Sequence, residues 1–471
     1  MSNIPLPSSW VHARISEIAA VNPTLDKSEI ADDLEVSFVP MPAVEQLTGR
    51  ITVSKTRPLS EVKKGFTPFL EGDVLFAKIT PCMENGKMAV APALKNGYGF
   101  GSTEFHVLRP FSGISAKYIY YFVSSQGFRY AAEHKMSGAV GQRRVTTTYI
   151  SAQQIPVPPS REQRRIVAKI EELFSELDKG VEALTTAREQ LKVYCKTLLD
   201  QAASGDLLVA RGVQKGRFNE DTWRSLSEVV SSLGQGWSPR CLNHPSPSEE
   251  LWAVITTTAI QHGSFGDQEN KQLPDELEPR THLVIQPGDI LVTRAGPRKR
   301  VGVACLVRRS RSRLLVCDKA YRLRVKEKEL LPEWMELTLN SPRILQSVEE
   351  LKTGISDSGV NLTQDRFLGL RVPVPSLKAQ RETLSIVDAA MSHATNLAGQ
   401  IDSALIQVDA LRQSILKQAF AGQLVAQNPA DEPASVLLER IRAERTKTDA
   451  KKPGRKTKST GTSKAGKRAT A

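Results

Sequence analysis

The sequence predicts a mixed α/β protein, in which two α/β globular domains related by pseudo-two-fold symmetry are joined by a long antiparallel two-helix coiled coil. Three observations lead to this fold class: an internal duplication, a Pro-x-Pro segment that closes each globular unit, and a long proline-free helical pattern after each such segment. Residues 155–164 return as 372–381, a shift of 217 residues, and 196–207 return as 413–424 at the same shift. A repeat of this length indicates two similar domains, because the repeats of a solenoid are far shorter.

Composition places the chain among soluble globular proteins. Its 471 residues have room for two to four domains, each with its own core. No run of about 18 apolar residues predicts a membrane span, and the first residues lack the features of a signal peptide. The five cysteines are odd in number and have no C-x-x-C spacing. We therefore expect a reduced, cytoplasmic setting without a zinc site or disulfide framework.

The net charge of +13 is concentrated at the C-terminus. Residues 446–471 contain nine Lys/Arg and one Asp, a net of +8, which leaves +5 for the rest of the chain. This segment is poor in apolar residues and rich in Gly, Ser and Thr, so the sequence predicts a disordered basic tail. Such a tail either attracts phosphates non-specifically or keeps the protein soluble. Overall basicity is thus weak support for nucleic-acid binding by the folded body.

Composition shifts and the duplication divide the chain into seven segments. Each globular unit is followed by one long helix, and the remaining segments are a linker, a short helix and the tail. The predicted order is globular domain 1 at 1–158, the central coiled-coil helix at 159–205, a linker at 206–222, globular domain 2 at 223–375, the distal coiled-coil helix at 376–423, a short C-terminal helix at 424–445 and the tail at 446–471.

The two globular units share local patterns. Each opens with a tryptophan, Trp10 or Trp223, followed by a short helical pattern. Each later has a Gly-Asp pair, at Gly72 and Gly288, which suits a turn and is followed by a strand-like apolar run. Further on, 118–123 and 334–339 read as short helices. The Pro-x-Pro segment that ends each unit must be extended, because proline disfavours helix at the residue before it.

Apolar residues recur at alternating steps of three and four along both predicted long helices, which is the spacing of a coiled-coil seam. Such a stripe needs a partner, and we expect the two helices to pair antiparallel; the alternative is that each packs only on its own domain. Gly205 and Gly422 stand where a left-handed C-cap would end each helix. The predicted helix-pair interface consists of Ile170, Leu173, Leu177, Leu184, Leu191, Leu198, Val387, Leu397, Ile401, Val408, Leu411 and Ile415.

No sequence motif predicts an active site. The chain lacks a dinucleotide-binding glycine motif, a Walker loop, the Asn/Asp-Pro-Pro-aromatic motif of amino-methyltransferases and the Gly-x-Ser-x-Gly of hydrolases. Its seven histidines are scattered, with no metal-ligand spacing. The sequence therefore predicts a non-catalytic protein with no metal site.

Two regions are candidate DNA-binding elements. Eight basic and no acidic residues lie between Arg294 and Arg313, in a strand–turn–strand pattern with Gly296-Pro297 as the turn. Polar loops also precede each Pro-x-Pro segment, at 138–144 and 354–361, where Gln and Arg suit base-edge hydrogen bonds. A solvated charged face and an ordinary polar turn are the alternatives. The predicted DNA-binding residues are Lys78, Gln142, Arg143, Arg144, Arg294, Arg298, Lys299, Arg300 and Asn361.

Together these features resemble the specificity subunit of a type I restriction–modification system. The resemblance covers about residues 5–445 and rests on the ordered duplication of the tryptophan openings, the Gly-Asp strands, the Pro-x-Pro…Gln-Arg junctions and the helices that end near Gly205 and Gly422. It implies that each globular domain is a target-recognition domain, which reads one half of a bipartite, asymmetric DNA site, while the helices set the spacer between the halves.

The resemblance also implies partners and cofactors that the residues alone do not indicate. Two adenine-N6 methyltransferase subunits would dock on the helices and bring S-adenosylmethionine, and a translocating restriction subunit would bring ATP and Mg. This chain would then be the non-catalytic reader. A coiled-coil scaffold that binds proteins rather than DNA, and a fused restriction enzyme, are the rival interpretations.

Overall fold

The computed structural model describes residues 5–52, 55–139, 141–354 and 356–450. The described residues divide into two compact units, one formed by those within 5–181 and 405–450 and the other by those within 182–404. Each unit holds one α/β domain together with part of both long helices. The division thus runs through the helices, because each helix part packs on the domain of its own unit. The predicted mixed α/β class is confirmed, and its coiled-coil component is described below.

The first recognition domain contains ten strands and five helices among its described residues. In chain order they are β1 Val11–Arg14, α1 Ile15–Ile18, β2 Ala19–Val21, β3 Glu35–Val39, β4 Lys55–Pro58, α2 Leu59–Val62, β5 Thr67–Leu70, β6 Val74–Ala77, β7 Met88–Val90, β8 Tyr98–Gly101, β9 Phe105–Pro110, α3 Ala116–Ser124, α4 Gln126–Glu133, α5 Thr147–Ala152 and β10 Gln154–Val157.

Two four-stranded sheets form the body of this domain. One is antiparallel with strand order β2-β9-β6-β7; the other has order β4-β3-β8-β5, with β3 and β8 parallel. The opening strand β1 pairs antiparallel with β10, the Pro-x-Pro strand. The helical pattern predicted after Trp10 is therefore correct only for its second half, since the four residues that follow the tryptophan form β1.

The second recognition domain repeats this order with additional short strands. Its elements are β11 Trp223–Ser225, α8 Leu226–Val229, β12 Val230–Gln235, β13 Ala253–Ile255, β14 Ile260–Gln261, β15 Ser264–Phe265, β16 Asn270–Gln272, β17 Ile290–Thr293, β18 Ala295–Gly296, β19 Ala304–Leu306, β20 Leu314–Leu315, β21 Ala320–Val325, α9 Pro332–Leu339, α10 Pro342–Leu351, β22 Val360–Asn361, α11 Gln364–Leu368 and β23 Arg371–Pro373.

Strand pairing shows that the two domains share one topology. The antiparallel sheet β12-β21-β17-β19 matches β2-β9-β6-β7, and β11 pairs with β23 as β1 pairs with β10. In the other sheet β13 and β20 are parallel, as β3 and β8 are. The 217-residue sequence repeat is therefore a repeat of structure.

A buried glutamine explains the Gln of each Pro-x-Pro…Gln-Arg junction. Gln163 is fully buried; its side-chain oxygen accepts from the N–H of Ser115, the N-cap of α3, at 2.8 Å, and its amide donates to the Pro158 carbonyl at 3.0 Å. Gln380 is equally buried and makes the same two bonds, to the N-cap of α9 and to the end of the second Pro-x-Pro segment, at 2.8 and 2.7 Å. These glutamines fix each long helix to its own domain.

Buried carboxylates explain the Gly-Asp turns. Asp73 is 1 % exposed and accepts two bonds from Arg109, at 2.9 and 2.7 Å. Asp289 is fully buried and accepts one bond from Arg324 at 2.6 Å. Each aspartate also accepts a backbone N–H from the residue three positions before it. A carboxylate buried in this way must be paired, so the turn and the arginine of the neighbouring strand go together.

The helical elements outside the recognition domains include the two long rods. They are α6 Ser160–Ser204, α7 Asp206–Ala210, α12 Leu377–Phe420 and α13 Ala434–Ala450. Gly205 and Gly422 follow α6 and α12 with φ of 84° and 70°, the left-handed conformation predicted for them.

The two rods pair antiparallel in both units. In the first unit Arg412 of α12 forms an ion pair with Asp178 of α6 and lies over the Phe174 ring, 5.4 Å from its centroid. In the second unit Arg188 of α6 pairs with Asp402 of α12 at 3.5 Å. Between these ion pairs α6 advances by ten residues and α12 retreats by ten, so both fit one antiparallel register. Paired rods, rather than helices packed only on their own domains, are thus observed.

The buried seam between the two rods differs from the predicted seam in one of its two rows of apolar positions. Ile170, Leu198, Val387, Ile401 and Val408 are at most 9 % exposed. Five more of the predicted interface residues have intermediate exposure: Leu173, Leu177, Leu184, Leu191 and Ile415.

The prediction is wrong for Leu397 and Leu411, which are 47 % and 50 % exposed. In α12 the second row of the seam lies four residues after the first, at positions such as Met391 and Leu405, rather than three residues after it. Both choices preserve a three-and-four alternation, and the apolar pattern fits either.

The C-terminal helix α13 packs on the first recognition domain. Leu437, Leu438 and Ile441 are buried in its core, and Arg442 pairs with Glu17 at 2.9 Å. The predicted tail is wrong at its start, because helix α13 continues through Ala450. A basic residue in the last turn favours this extension, since the carboxyl end of a helix attracts cations. The rest of the tail, 451–471, lies outside the described residues.

Candidate nucleic-acid interface

In each recognition domain, the loop after the Gly-Asp strand is joined by backbone hydrogen bonds to the loop before the Pro-x-Pro strand. The sequence analysis identified parts of these loops separately, and the fold brings them together. We call them loop pair 1, residues 78–86 with 137–139 and 141–145, and loop pair 2, residues 294–303 with 353–354 and 356–362.

Loop pair 1 is held by main-chain bonds between its two members. The N–H of Val145 donates to the Lys78 carbonyl at 2.8 Å, and the N–H of Thr80 donates to the Arg143 carbonyl at 3.0 Å. These bonds place the predicted residues Lys78 and Arg143 on adjoining strands of backbone. The loops therefore form one surface element rather than two independent turns.

Loop pair 2 has the equivalent bonds. The N–H of Leu362 donates to the Arg294 carbonyl at 2.7 Å, and β18 pairs with β22. The N–H of Arg298 also donates to the Asp357 carbonyl at 2.9 Å. The predicted turn at Gly296-Pro297 is wrong in its position, because Ala295 and Gly296 form β18 and the connection from β17 to β19 spans residues 294–303.

Of the four predicted DNA-binding side chains in loop pair 1, one has a partner within the domain and three do not. Arg144 donates two bonds to Glu104, at 3.0 and 2.9 Å, and these bonds lower the pKa of the Glu104 carboxyl. Among described residues, the side chains of Lys78, Gln142 and Arg143 have no hydrogen-bond or ion-pair partner. Gln142 is exposed and the other two are partly exposed. Two cations and an amide are thus free to bind a ligand.

Most predicted arginines of loop pair 2 already have partners. Arg298 pairs with Glu349 at 2.5 Å and with Asp357 at 3.0 Å. Arg300 donates to the Gln261 side chain at 2.9 Å and to two main-chain carbonyls. These arginines close the loop onto the domain, which reduces their availability for phosphates.

The remaining predicted residues of loop pair 2 differ from one another. Arg294 donates to the Asp318 carbonyl at 2.9 Å and lies 5.5 Å over the Tyr321 ring. Lys299 and Asn361 are exposed, and their side chains have no polar partner in the described part of the chain. Lys299 and Asn361 are therefore the available candidates in the second domain.

The rest of the basic run is also mostly structural. Arg308 pairs with the buried carboxylate of Glu336 at 2.6 Å. Arg311 is 6 % exposed and donates to the Leu251 carbonyl, and Arg313 donates to the Glu250 carbonyl. Basic side chains that are close in sequence thus bind different groups in the fold, namely buried carboxylates and main-chain carbonyls. These groups need hydrogen-bond donors when they are removed from water.

Sequence reasoning missed the residues that hold the loops, among them Glu104. Its only sequence signal is a carboxylate just before β9, which is not specific. Among the described residues, no group of three or more His, Cys, Asp or Glu side chains lies close enough to hold a metal ion. No helix in the described part of the chain has the length and apolarity needed to cross a membrane. The five cysteines are free thiols.

Comparisons with known proteins agree with this architecture. Residues 7–186 match the family model for the type I restriction modification DNA specificity domain. The type I restriction enzyme EcoEI specificity subunit of Escherichia coli is 29 % identical over 85 % of this chain and 80 % of its own length. The EcoKI specificity subunit of Escherichia coli strain K12 is 26 % identical over 97 % of this chain and 100 % of its own.

Two solved structures share the fold. A chain from a structural study of complex assembly and conformational transition in a type I restriction–modification system aligns with a TM-score of 0.68 at 20 % identity, over 89 % of this chain and 99 % of that one. The HsdS subunit from Thermoanaerobacter tengcongensis aligns with a TM-score of 0.59 at 20 % identity, over 90 % and 99 %. Residues 7–186 thus match the type I restriction modification DNA specificity domain, and over most of its length the chain is similar in sequence to specificity subunits of type I restriction enzymes.

Proposed function

We propose that this chain selects the DNA sequence for a type I restriction–modification complex, with each recognition domain reading one half of a bipartite, asymmetric site through its loop pair. One observation carries the proposal: both domains present the same two backbone-paired loops on the same framework, with different side chains at the surface. A repeated scaffold with divergent exposed groups is what two unlike half-sites require.

The available side chains suit DNA. In the first domain, Gln142 has the donor and acceptor pattern for an adenine edge, Arg143 for a guanine edge, and Lys78 for a phosphate. In the second domain, Asn361 suits adenine and Lys299 suits phosphate or guanine. The first domain therefore offers more uncompensated positive charge at its loops than the second.

The paired helices would set the spacer between half-sites and dock the partner subunits. A groove of about 600 Å³ in the second unit is lined by residues of both helices, including His393. Tyr194 and Leu397 line it and are 49 % and 47 % exposed, which is unusual for side chains of this size. Exposed apolar groups on a long helix pair support protein docking there.

The proposed partners are double-stranded DNA, two adenine-N6 methyltransferase subunits and a restriction subunit. S-adenosylmethionine would be bound by the methyltransferase, and ATP with Mg by the restriction subunit, so this chain would do no catalysis itself. Because its substrate would be host and invading DNA, we place its action in the cytoplasm.

The test is to map methylated adenines in host DNA with and without this chain while the methyltransferase partner is expressed. We expect a split methylated motif that disappears on deletion. An unchanged set of motifs would overturn the proposal. The alternative, a scaffold that binds only proteins, predicts partner binding without sequence-selective DNA binding.

Variants of the available side chains give the finer test. Arg143→Ala should relax the first half-site only, and Asn361→Ala the second only. Arg313→Ala, in the same basic run but bonded to a main-chain carbonyl, is the control and should alter neither half. A change in both half-sites from either loop variant would contradict the assignment of one loop pair to one half-site.

A further inference from the structure

One main-chain carbonyl in each loop pair is held by a buried side chain from the adjoining sheet. In the first domain, His106 Nε2 lies 2.8 Å from the Val145 carbonyl oxygen. In the second, the hydroxyl of Tyr321 donates to the Leu362 carbonyl at 2.9 Å. His106 and Tyr321 are 3 % and 2 % exposed.

These two contacts occupy equivalent places in the fold. His106 stands opposite Phe76 in the pairing of β6 with β9, and Tyr321 stands opposite Val292 in the pairing of β17 with β21. The two carbonyls are equivalent as well, since each belongs to the residue before the threonine that precedes α5 or α11. The two domains thus hold the equivalent carbonyl with different side chains, a histidine in the first and a tyrosine in the second.

The anchored residue joins three parts of each domain. Val145 gives its N–H to Lys78 and its carbonyl to His106, and Leu362 gives its N–H to Arg294 and its carbonyl to Tyr321. Each therefore ties the second loop to the first loop and to the sheet. In the first domain it lies two residues after the available Arg143, and in the second it directly follows the available Asn361. Loss of the anchor would free the backbone on which those side chains stand.

The surroundings fix the state of the histidine. The Val145 carbonyl can only accept, so Nε2 carries the proton, and Nδ1 accepts from the Asn22 amide at 3.0 Å. The Asn22 oxygen is occupied, because it accepts the Val107 N–H at 3.0 Å. This arrangement needs a neutral imidazole, and burial lowers the pKa of His106 accordingly.

The tyrosine is held by aromatic packing. Its ring stacks on Phe367 of α11, with centroids 5.8 Å apart and planes at 6°. The Arg294 guanidinium covers it at 5.5 Å. Arg294 belongs to loop pair 2 and Phe367 to the helix that follows it, so the ring position and the loop position depend on each other.

We propose that His106 and Tyr321 are positioning residues, each of which fixes the loop pair of its own domain and thereby sets how accurately that domain discriminates its half-site. The proposal rests on the function proposed above and deepens it. It assigns to each half-site one buried residue that does not touch DNA.

The experiment compares methylation of the cognate site with methylation of sites mismatched in one half, using the assembled methyltransferase complex. Tyr321→Phe removes only the hydroxyl. We expect discrimination at the second half-site to fall roughly 3- to 10-fold, the effect of one hydrogen bond, with the first half-site unchanged. His106→Leu should do the reverse, and His106→Gln, whose amide can donate from nearly the place of Nε2, should restore the first half-site.

Tyr118→Phe is the matched control for stability. It also removes a buried hydroxyl that donates to a carbonyl, that of Pro156 at 2.8 Å, but outside the loop pairs. All four variants are compared for thermal unfolding. The inference is overturned if Tyr321→Phe leaves second half-site discrimination unchanged, or if Tyr118→Phe reduces discrimination as much. A wild-type complex that methylates no split motif would instead overturn the proposed function, and the inference with it.

Discussion

The two recognition domains are alike where they are buried and unlike where they are exposed. Gln163 and Gln380 make the same two bonds, and Asp73 and Asp289 both accept an arginine and a backbone N–H. The loop pairs, by contrast, share their backbone bonds but not their charges. In loop pair 2 the arginines are matched by carboxylates and carbonyls, whereas loop pair 1 keeps two unmatched cations.

This difference shows at which positions the fold accepts a different side chain. An unpaired polar group in the interior costs about 1–3 kcal/mol or more, so both copies retain the same buried partners. An exposed loop side chain has water as an alternative partner and can differ without such a cost. The framework therefore sets where the loops stand, and the loop residues are left to decide what is bound.

The largest expected effect comes from separating the two domains. Insertion of four residues after Leu184 and after Ile401 lengthens both rods by about 6 Å at 1.5 Å per residue. We expect the spacer to grow by one to two base pairs while both half-sites are unchanged, and methylation of the original site to be lost. Sequencing of modified adenines measures this.

The two insertions fit the antiparallel register given by the Asp178–Arg412 and Arg188–Asp402 pairs, because the residues added to each helix face residues of the other helix. An insertion in α6 alone is the control and should disrupt the pairing. Altered half-site bases with unchanged spacing would contradict the helix assignment.

The next effect is on stability and compares the buried ion pairs. Arg109→Ala leaves the Asp73 carboxylate buried without its cation and should cost about 3 kcal/mol. Arg324→Ala should cost less, because Arg324 makes one bond to Asp289 rather than two and its side chain is 45 % exposed against 28 % for Arg109. Denaturant unfolding of the two variants measures the order. Equal losses would show that exposure and bond number do not govern these pairs.

A smaller effect separates the loop pairs by their free charge. Arg143→Ala should weaken cognate DNA binding by about 1–3 kcal/mol and relax the first half-site. Arg298→Ala removes surface ion pairs to Glu349 and Asp357, which contribute about 0–1 kcal/mol to stability. Because Arg298 already has these partners within the domain, DNA binding should change less than in Arg143→Ala. Titration of cognate and mismatched duplexes at one salt concentration tests this. A larger loss from Arg298→Ala would show that its intramolecular pairs open on binding.

The smallest effect depends on pH. The pKa of His106 lies below its ordinary 6.5, mainly through burial. The hydrogen bond to the Val145 carbonyl raises this pKa, Lys78 lowers it, and Glu104, itself paired with Arg144, raises it. The unfolded chain therefore takes up the proton first as the pH falls. The stabilisation is complete above about pH 6.5 and declines below it.

Discrimination at the first half-site should decline only at lower pH, as the pH falls through the depressed pKa of His106 in the folded protein, because the protonated ring then repels the Asn22 amide. The second half-site, where Tyr321 holds the equivalent carbonyl, is the internal control. His106→Gln should remove the pH dependence of the first half-site. A parallel decline of both half-sites in the wild type would point to a cause outside His106.

Much of the fold was predictable because its signals are local or repeated. Proline placed the extended junctions, the three-and-four spacing predicted long paired helices, and the duplication predicted two related domains. The residues of the helix-pair seam were harder to predict from the sequence. Leu397 and Leu411 fit an apolar stripe as well as the buried residues do, because only contact with the partner helix decides which of the two possible second rows is buried. The basic run was predicted to contact DNA, but carboxylates distant in sequence, such as Glu336 and Glu349, take up its arginines.

The sequence by itself determined the repeat, the helix ends near Gly205 and Gly422, and the polar character of the loops, because these depend on backbone preferences and spacing along the chain. Three features became visible only in the folded chain: which loops lie together, which cations have no partner, and that His106 and Tyr321 both hold a loop carbonyl. Those features depend on contacts between residues tens of positions apart, at distances that no local pattern encodes. The buried pairs formed there leave Lys78, Gln142, Arg143, Lys299 and Asn361 as the side chains open to a partner.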